Sequence, residues 1–324
     1  MSWAKRQSGF TIVELLIVVV VIAILAAITI ISYNGISNRA KTSAVLESVA
    51  QAVKKIELSK TASTTNSYAA NATDAGIGTM SNVGYFYNEN QTSYCVQAKN
   101  GDTVYSATNT KTSPALGSCA ENGLIGWWKF NGDGSDSTTN ARAATIATGV
   151  PAVGQNGQAN GSYEFDGTVP AARVLGSEDI LTPENTFSFW YNADTWNSSA
   201  ATSFIAKRSG TTSGHFIMRL TSSNSLSIDC GGSNNRWTPG VVLPLGQWAH
   251  IAVVCTPSYV AAYVNGVSVG SATRTSSNLA NGTILQFGQD GTSYGIDGRM
   301  DDIRLFDRAL GLSEVQQLYS IGAQ

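Results

Sequence analysis

The first thirty residues constrain this chain more than any other segment, because they place one carboxylate inside an apolar segment of membrane-spanning length. Lys5 and Arg6 come first, and after Gly9 the sequence stays mostly apolar as far as Ile31, with Glu14 as its only charged residue. A helix of roughly 22 apolar residues can cross the hydrocarbon core of a bilayer. An acid within such a helix costs roughly 2.5–3.5 kcal/mol at its centre, so Glu14 is a functional candidate.

The spacing of Gly9, Phe10 and Glu14 suggests how this acid is compensated. Cleavage after Gly9 would make Phe10 the new N-terminus, one helical turn before Glu14. The new positive amine and the carboxylate could then form an ion pair. The pair would be most useful between neighbouring helices, where each charge compensates the other.

The segment from Gly9 to Glu14, Gly-Phe-Thr-Ile-Val-Glu, resembles the class III signal of type IV pilins, of type II secretion pseudopilins and of competence pilins. The resemblance implies that a prepilin peptidase cleaves after Gly9 and methylates Phe10. It also implies that inner-membrane pilus assembly machinery adds the subunit to a filament of other pilin subunits. Two alternatives are a secretory signal peptide, which usually has a shorter apolar region without an acid, and a plain membrane anchor, which leaves Glu14 unexplained.

Composition limits the rest of the chain to a few classes. With 324 residues there is room for two domains, and a net charge of −2 argues against a nucleic-acid partner. Only 13% of the residues are charged, which is common in extracellular β-rich proteins. The cysteines form two local pairs, Cys95 with Cys119 and Cys230 with Cys255, which in an exported chain predict disulfides. Each would close a loop of about 25 residues and contribute about 3 kcal/mol. The alternative is four buried free thiols.

Residues 10–120 are expected to form an α+β pilin domain that follows a leader peptide at residues 1–9. A membrane or filament-core helix is predicted over residues 10–31. Apolar residues with helical spacing extend this helix to about residue 60: Ala44, Val45, Val49, Ala52, Val53 and Ile56. Short aromatic and alternating segments between residues 80 and 120 predict a three-stranded antiparallel sheet packed on the helix.

From Leu124 onward the sequence consists of many short alternating segments bounded by Gly, Asn, Ser or Asp. Ten or more such segments without intervening helices predict an antiparallel sandwich. The segments 124–130, 163–167, 246–253 and 298–310 together resemble the concanavalin A-like jelly roll of laminin G-type domains. The resemblance implies an all-β concanavalin A-like jelly-roll sandwich over residues 121–324.

The same resemblance implies a calcium site that ties the first and last strands together. The matching positions are Asp136 in the opening loop and Asp301 in the closing strand. Strand alternation makes Asp302 the weaker candidate, because it would point to the other face. The other interpretation is that these aspartates cap turns or bind Arg299 or Arg304.

Sugar sites in this fold usually place an aromatic platform in loops at one edge or across the concave face. The aromatic residues in segments rich in Gly, Asn and Ser are the candidate ligand-binding residues: Trp196, Trp237 and Tyr294. The tryptophans of the predicted strands are expected in the core: Trp127, Trp128, Trp190 and Trp248.

The sequence offers no recognisable catalytic centre. Laminarinase-type enzymes of this fold carry Glu-x-Asp-x-x-Glu, because retaining glycoside hydrolysis needs two carboxyls about 5–5.5 Å apart. Here Glu164 and Asp166 are followed by Gly167, Thr168 and Val169, so the second glutamate is missing. We therefore expect a protein that is not an enzyme.

Together these features predict a structural subunit of a type IV pilus that displays a lectin-like adhesive domain. Its expected ligand is an extracellular glycan or surface protein. The subunit would lie in the cell membrane before assembly and in an extracellular pilus afterwards. The alternatives are a pseudopilin of a type II secretion-like system and a membrane-anchored glycan hydrolase.

Overall fold

The structure is a computed structural model that describes residues 12–87, 91, 93–101, 103–168, 171–177, 179–195, 201–207, 213–232, 236–275, 279, 282, 284–291 and 295–322. It begins with one continuous helix, α1 (Ile12–Ala62). The helix ends where the sequence predicted, near residue 60. Its length of 51 residues is far beyond that of an ordinary globular helix, so most of α1 has to find partners other than a compact core.

The C-terminal half of α1 packs on a small antiparallel sheet through one apolar stripe. Val45, Val49, Ala52 and Ile56 are fully buried against sheet residues. Ala44 was predicted to lie on this stripe, but it is exposed. Adjacent helical positions differ by about 100° around the axis, so the sheet covers position 45 and leaves position 44 outside.

The sheet has four strands rather than the three predicted: β1 (Val83–Tyr87), β2 (Tyr94–Asn100), β3 (Thr103–Thr108) and β4 (Ala115–Leu116), in that spatial order. Strand β4 pairs with Tyr105 and Ser106 of β3. Two residues are too few to produce an alternation signal, so β4 could not be predicted. The Cys95–Cys119 disulfide returns the following segment to β2, close to the sheet.

Residues 124–306 form two packed antiparallel sheets, which agrees with the predicted sandwich. The front sheet has the order β17-β16-β15-β10-β19-β8-β7, with β5 also paired to β19. Its strands are β5 (Leu124–Trp128), β7 (Val150–Ala152), β8 (Ser162–Asp166), β10 (Asn185–Ala193), β15 (Trp248–Cys255), β16 (Tyr259–Val264), β17 (Val267–Thr273) and β19 (Asp297–Phe306).

The back sheet has the order β14-β13-β12-β11-β18-β9-β6. Its strands are β6 (Ala144–Ile146), β9 (Ala172–Leu175), β11 (Thr202–Lys207), β12 (Ser213–Leu220), β13 (Leu226–Gly232), β14 (Arg236–Trp237) and β18 (Ile284–Phe287). Large aromatic side chains fill the space between the sheets: Trp128, Phe130, Phe165, Phe187, Phe189, Phe204, Phe216 and Phe287. Their burial removes a large apolar area from water, which is the main term that stabilises such a sandwich.

A closing helix, α2 (Leu312–Gly322), covers the outer face of the front sheet. Its Val315 and Leu318 pack on Val254, Tyr263 and Phe306 in a second apolar layer. The second disulfide, Cys230–Cys255, joins β13 of the back sheet to β15 of the front sheet. It therefore links the two layers covalently through the core.

Strand β19 has a break in its pairing that shapes the front sheet. One edge of β19 pairs with β10, while the other pairs with β8 along residues 297–300 and with β5 along residues 303–306. Both Met300 and Ile303 face the core, although an odd spacing should put them on opposite faces. A bulge resolves this, since Asp302 has a positive φ of 50° and resets the alternation.

Arg308, just after β19, ties the sandwich to the N-terminal sheet. A short 3₁₀ turn, η1 (Cys119–Glu121), connects the two units. Arg308 Nη2 donates to the Cys119 carbonyl at 3.0 Å, and its Nε donates to the Asn122 carbonyl at 2.8 Å. The same guanidinium holds the carboxylate of Glu314 at 2.7 and 3.0 Å. Arg308 thus joins the connecting turn to α2.

Replacing Arg308 by Met should lower the free energy of unfolding by about 3 kcal/mol, because Glu314 is only 3% exposed and would lose its charged partner. Urea denaturation of the purified chain measures the change. Arg142→Met is the matched control, since no polar partner of that side chain is found among the described residues. A loss below about 1 kcal/mol in Arg308→Met would show that the guanidinium does not hold the junction.

Candidate functional site

The N-terminal site is only partly described. Gly9 and Phe10 lie outside the described residues, and Glu14 lies in α1 with its side chain outside them. The apolar side chains at this end of α1 are 47–84% exposed: Ile12, Leu15, Leu16, Ile17, Val18, Val19, Val20, Val21 and Ile22. Among the residues whose side chains are described, no helix has an apolar segment long enough to cross a bilayer.

Of the predicted ligand-binding aromatics, only Trp237 is described, because Trp196 and Tyr294 lie outside the described residues. Trp237 is half-buried and packs against the main core of the sandwich. Its ring lies over Gly270, where an added Cβ would come within 3.4 Å. The neighbouring Arg236 binds the buried carboxylate of Asp229 at 2.8 Å. In this structure Trp237 therefore serves the packing of an edge strand.

Asp136, a predicted calcium ligand, already holds the opening loop of the sandwich together. Its Oδ1 accepts the backbone N–H groups of Trp127 and Thr138 at 3.0 and 2.9 Å. Its Oδ2 accepts the Arg142 N–H at 2.9 Å and the Thr138 hydroxyl at 3.0 Å. Both oxygens are thus committed to the protein, so the residue as placed does not fit a calcium ligand.

Asp301, the other predicted calcium ligand, lies at the break in the pairing of β19. It is 5% exposed, and its Oδ2 accepts the Gln155 N–H at 3.0 Å. Burial raises the pKa of the Asp301 carboxyl to about 7, partly opposed by that hydrogen bond. Within the described residues, no group of three or more His, Cys, Asp or Glu side chains could hold a metal ion. Calcium binding stays a prediction.

A cavity of about 170 Å³ opens at this break, and we call it the Trp127 cavity. Its lining includes Trp127, Lys129, Asn131, Gln155, Asp301 and Arg304. Asp302 lines it as well, although strand alternation had predicted that Asp301 and Asp302 face opposite ways. That prediction is wrong because the bulge at Asp302 interrupts the alternation.

Trp127 was expected in the core, but its half-buried ring forms one wall of the Trp127 cavity. Its Nε1 donates to Asp302 Oδ1 at 2.6 Å. The ammonium of Lys129 lies 4.1 Å from the ring centroid, and the guanidinium carbon of Arg304 lies 4.6 Å from it. Trp128, the next residue, is fully buried as predicted. Strand alternation puts the two neighbouring tryptophans on opposite faces, but the sequence alone did not show which of them faces the core.

A larger cavity, of about 470 Å³, lies between the N-terminal sheet and the sandwich. Tyr94 and Thr108 line it on one side, and Thr256, Arg308 and Glu314 line it on the other. Arg308 and Glu314 bind each other, so their charges are already compensated. This cavity therefore offers weaker recognition chemistry than the Trp127 cavity.

The carboxylates considered for catalysis are engaged elsewhere. Glu164 lies 3.4 Å from Arg299, and Asp166 accepts the Thr168 N–H at 3.0 Å. Hydrogen bonds from the Thr168 side chain and backbone lower the pKa of Asp166. A glycosidase needs a general acid with a raised pKa, so Asp166 has the wrong electrostatics for that task.

Sequence reasoning missed a buried Ser–His contact beneath α2. Ser188 Oγ lies 2.8 Å from His250 Nε2, although 62 residues separate them in the sequence. Burial, together with the positive charge of Arg304, lowers the pKa of His250 to about 3. Nδ1 of His250 has no partner in the described part of the chain, so no carboxylate there completes a catalytic triad. Only strand pairing brings these residues together, and no sequence spacing would have shown it.

Two family models match parts of this chain. One, described as the prokaryotic N-terminal methylation motif, matches residues 4–30. The other, described as the concanavalin A-like lectin/glucanases superfamily, matches residues 170–316. The chain carries a type IV pilin methylation motif and a concanavalin A-like domain. Both predicted resemblances are confirmed, and together they suggest a protein that is not an enzyme. The methylation motif further implies assembly with other pilins and processing by a prepilin peptidase.

Solved structures share the sandwich fold at low identity. Domain 4 of AbnA, a GH43 extracellular arabinanase from Geobacillus stearothermophilus in complex with arabinotriose, is 22% identical with a TM-score of 0.50. That match covers 60% of this chain and 98% of the arabinanase domain. A botulinum neurotoxin type C structure, whose cell entry depends on two ganglioside molecules, is 12% identical with a TM-score of 0.51 and coverages of 63% and 52%.

A third similar structure, the binding domain of Paraclostridial Mosquitocidal Protein 1, is 15% identical with a TM-score of 0.50. The match covers 62% of this chain and 52% of that domain. The chain thus spans about half the length of the two toxin structures. No curated protein matches the chain in sequence. At these identities the likeness establishes the fold alone.

Asp136→Ala should lower the free energy of unfolding by about 2 kcal/mol or more, because three backbone N–H groups and one hydroxyl lose their charged acceptor. Thermal melting of the purified variant measures the change.

Melting curves of the unmodified protein, recorded with and without a chelator, test for a bound calcium ion. A calcium ion held by Asp301 would make the chelator lower the melting temperature of the unmodified protein, and an unchanged melting temperature would remove calcium from the proposal.

His250 should make stability depend on pH. Its pKa is about 3 when folded and about 6.5 when unfolded, so the unfolded chain binds more protons between these values. The free energy of unfolding should then fall on acidification within this window, by at most about 1.4 kcal/mol per pH unit. Urea denaturation of the unmodified protein and of His250→Gln gives this contribution as the difference between their free energies of unfolding. Asp301, whose raised pKa has the opposite effect on stability, is present in both proteins and so cancels in the difference. A difference that stays constant between about pH 7 and pH 4 would contradict it.

Proposed function

We propose that the chain is a structural subunit of a type IV pilus that displays its sandwich as a lectin-like adhesive domain. The observation that carries the proposal is the exposed apolar end of α1, where nine large apolar side chains between residues 12 and 22 are uncovered. A continuous apolar surface of this kind is a site of association with lipid or protein. Lipid would cover it before assembly, and neighbouring helices would cover it in the filament.

Glu14 would favour association with a neighbouring subunit that supplies a positive charge. In the low dielectric of a helix bundle, an isolated carboxylate is strongly destabilising, whereas a paired one is tolerated. The amine of Phe10 in a neighbouring subunit, created by prepilin peptidase, would supply the partner charge. Membrane insertion, cleavage after Gly9 and entry into the filament through the inner-membrane machinery then follow in that order.

The sandwich supplies the displayed surface. Its fold is shared with an arabinanase domain solved with arabinotriose and with a neurotoxin whose cell entry depends on gangliosides. These relatives support an extracellular glycan as the ligand, with a surface protein as the other possibility. A calcium ion held by Asp301 would be an additional component of the sandwich and is proposed only on the resemblance.

A pseudopilin of a secretion system would use the same N-terminal helix. The sandwich argues against that role, because a piston subunit has no need of a displayed ligand surface. A membrane-anchored hydrolase is opposed by the engaged carboxylates of Glu164 and Asp166. The adhesive pilin accounts for both halves of the chain.

Glu14→Ala should insert and be cleaved after Gly9 but should reduce surface filaments by about tenfold or more, because the amine of Phe10 would lack its partner. Filament counts by electron microscopy and mass spectrometry of the mature N-terminus measure the two steps. Glu47→Ala is the matched control, since Glu47 is an exposed carboxylate on the same helix. Normal filament numbers in Glu14→Ala would exclude the pairing.

Gold-labelled antibody against residues 121–324 locates the sandwich in the same samples. We expect label outside the cell on filaments, either along the shaft or at the tip. Filaments are thin and long, so the two label patterns are easily separated. A complete lack of external label on cells that produce the protein would favour the pseudopilin instead.

A further inference from the structure

We propose that the Trp127 cavity binds the acidic sugar of a glycan, a pyranose ring that carries a carboxylate. The proposal rests on the adhesive function above and specifies its ligand class and its binding surface. It differs from the aromatic loop platform predicted from the sequence, because the cavity lies at the break in β19. Its residues come from β5 and the segment that follows it, from the loop before β8, from β19 and from the end of α2.

The fold builds the cavity without any contribution from a ligand. Strands β8 and β5 pair with the same edge of β19 but leave residues 301 and 302 without a neighbour on that edge. The bulge at Asp302 turns this unpaired backbone outward while Met300 and Ile303 keep their places in the core. The result is a recess in an otherwise continuous sheet, lined by the side chains around Asp301.

One cation of the cavity, Lys129, has no carboxylate of the described residues in contact with it. Arg304 binds Asp302 at 3.0 and 3.1 Å, so these two charges neutralise each other. Lys129 is half-buried, and its ammonium contacts the face of Trp127 but no carboxylate of the described residues. A partly desolvated ammonium without an anion in contact is unfavourable, so a ligand carboxylate would be stabilised beside Lys129 and repelled beside Asp301, the remaining carboxyl of the lining.

The remaining lining groups suit hydroxyls. Asp301 is 5% exposed and lines the cavity, and its carboxyl accepts the backbone N–H groups of Gln155 and Asp302, which leaves acceptor capacity for a ligand. The side chains of Asn131 and Gln155 likewise have no hydrogen-bond partner among the described residues. A carboxylate oxygen accepts hydrogen bonds from sugar hydroxyls, and amides both donate and accept them. Lys129 selects the anion while these groups select a ring with several hydroxyls.

The size of the cavity limits the ligand to one ring. Its volume of about 170 Å³ is well below the roughly 300–1,000 Å³ typical of sites for drug-sized ligands. A single saccharide unit could enter, while the rest of the glycan would lie across the sheet edge. The acidic unit would therefore be a terminal or branching sugar.

Isothermal titration calorimetry on the full chain in detergent tests the site with three probes. Methyl β-D-glucuronide is the acidic sugar, methyl β-D-glucoside is its uncharged match, and acetate is a bare carboxylate. We expect the glucuronide to bind about tenfold or more tightly than either of the others, because a charge-assisted hydrogen bond to Lys129 adds to the hydroxyl contacts. Equal binding of acetate and glucuronide would overturn the proposal.

Variants assign the effect to named groups. Lys129→Met keeps the aliphatic stem on Trp127 but removes the charge, and should reduce glucuronide affinity about tenfold without changing glucoside affinity. Lys129→Arg should retain most of the affinity, and Lys111→Met, at an exposed lysine of the N-terminal sheet region, is the matched control. Asn131→Ala should weaken both sugars a few-fold. Unchanged glucuronide affinity in Lys129→Met would overturn the proposal.

A glycan array probed with the full chain separates failure of this site from failure of adhesion. Binding confined to neutral glycans and unaffected by Lys129→Met would overturn the acidic-sugar site and leave the adhesive function intact. Lack of binding to every glycan would overturn the site and also remove the support for glycan adhesion. All titrations contain a chelator, so that a bound metal ion cannot supply the contact to the sugar carboxylate. Loss of glucuronide binding in its presence would overturn direct recognition by Lys129.

Discussion

The pairing of β19 is the constraint on which the sandwich depends. This ten-residue strand lies in the middle of the front sheet and contacts β10 on one edge and both β8 and β5 on the other. It supplies Met300, Ile303 and Leu305 to the core and leads directly to Arg308 at the domain junction. Because three strands share β19, one bulge in it changes the core, the sheet edge and the cavity together.

The long helix divides its apolar residues between two environments. Residues 45–56 of α1 carry a narrow stripe that the small sheet buries, so this half of the helix belongs to a folded domain. The end near residue 12 is apolar at every position whose side chain is described, and no sheet of the described residues covers it. This division explains how one helix can both hold a globular domain and enter an assembly, since the two tasks use different lengths of it.

Much of the fold could be predicted because it rests on local patterns. The helical stripe from Val45 to Ile56 and the alternating segments of the sandwich each reflect the geometry of a single element. The disulfides could also be predicted, because each joins cysteines about 25 residues apart. Strand β4 and the orientation of Asp302 could not, since each depends on a neighbour that is distant in sequence. The same is true of Trp127, whose half-buried position in the cavity wall follows from the strand pairing of β5 with β19.

The sequence alone determined the classes of structure: a methylation motif with Glu14, one helix of unusual length, and an all-β domain with two internal cysteine pairs. These depend on composition, periodicity and spacing along the chain. Only the tertiary structure decided that Asp136 is saturated by backbone N–H groups, that Ser188 meets His250, and that Lys129 stands beside Trp127 without a described acidic partner. Each of these outcomes depends on which strands pair and where one of them bulges, and that register is set by packing across the whole sandwich.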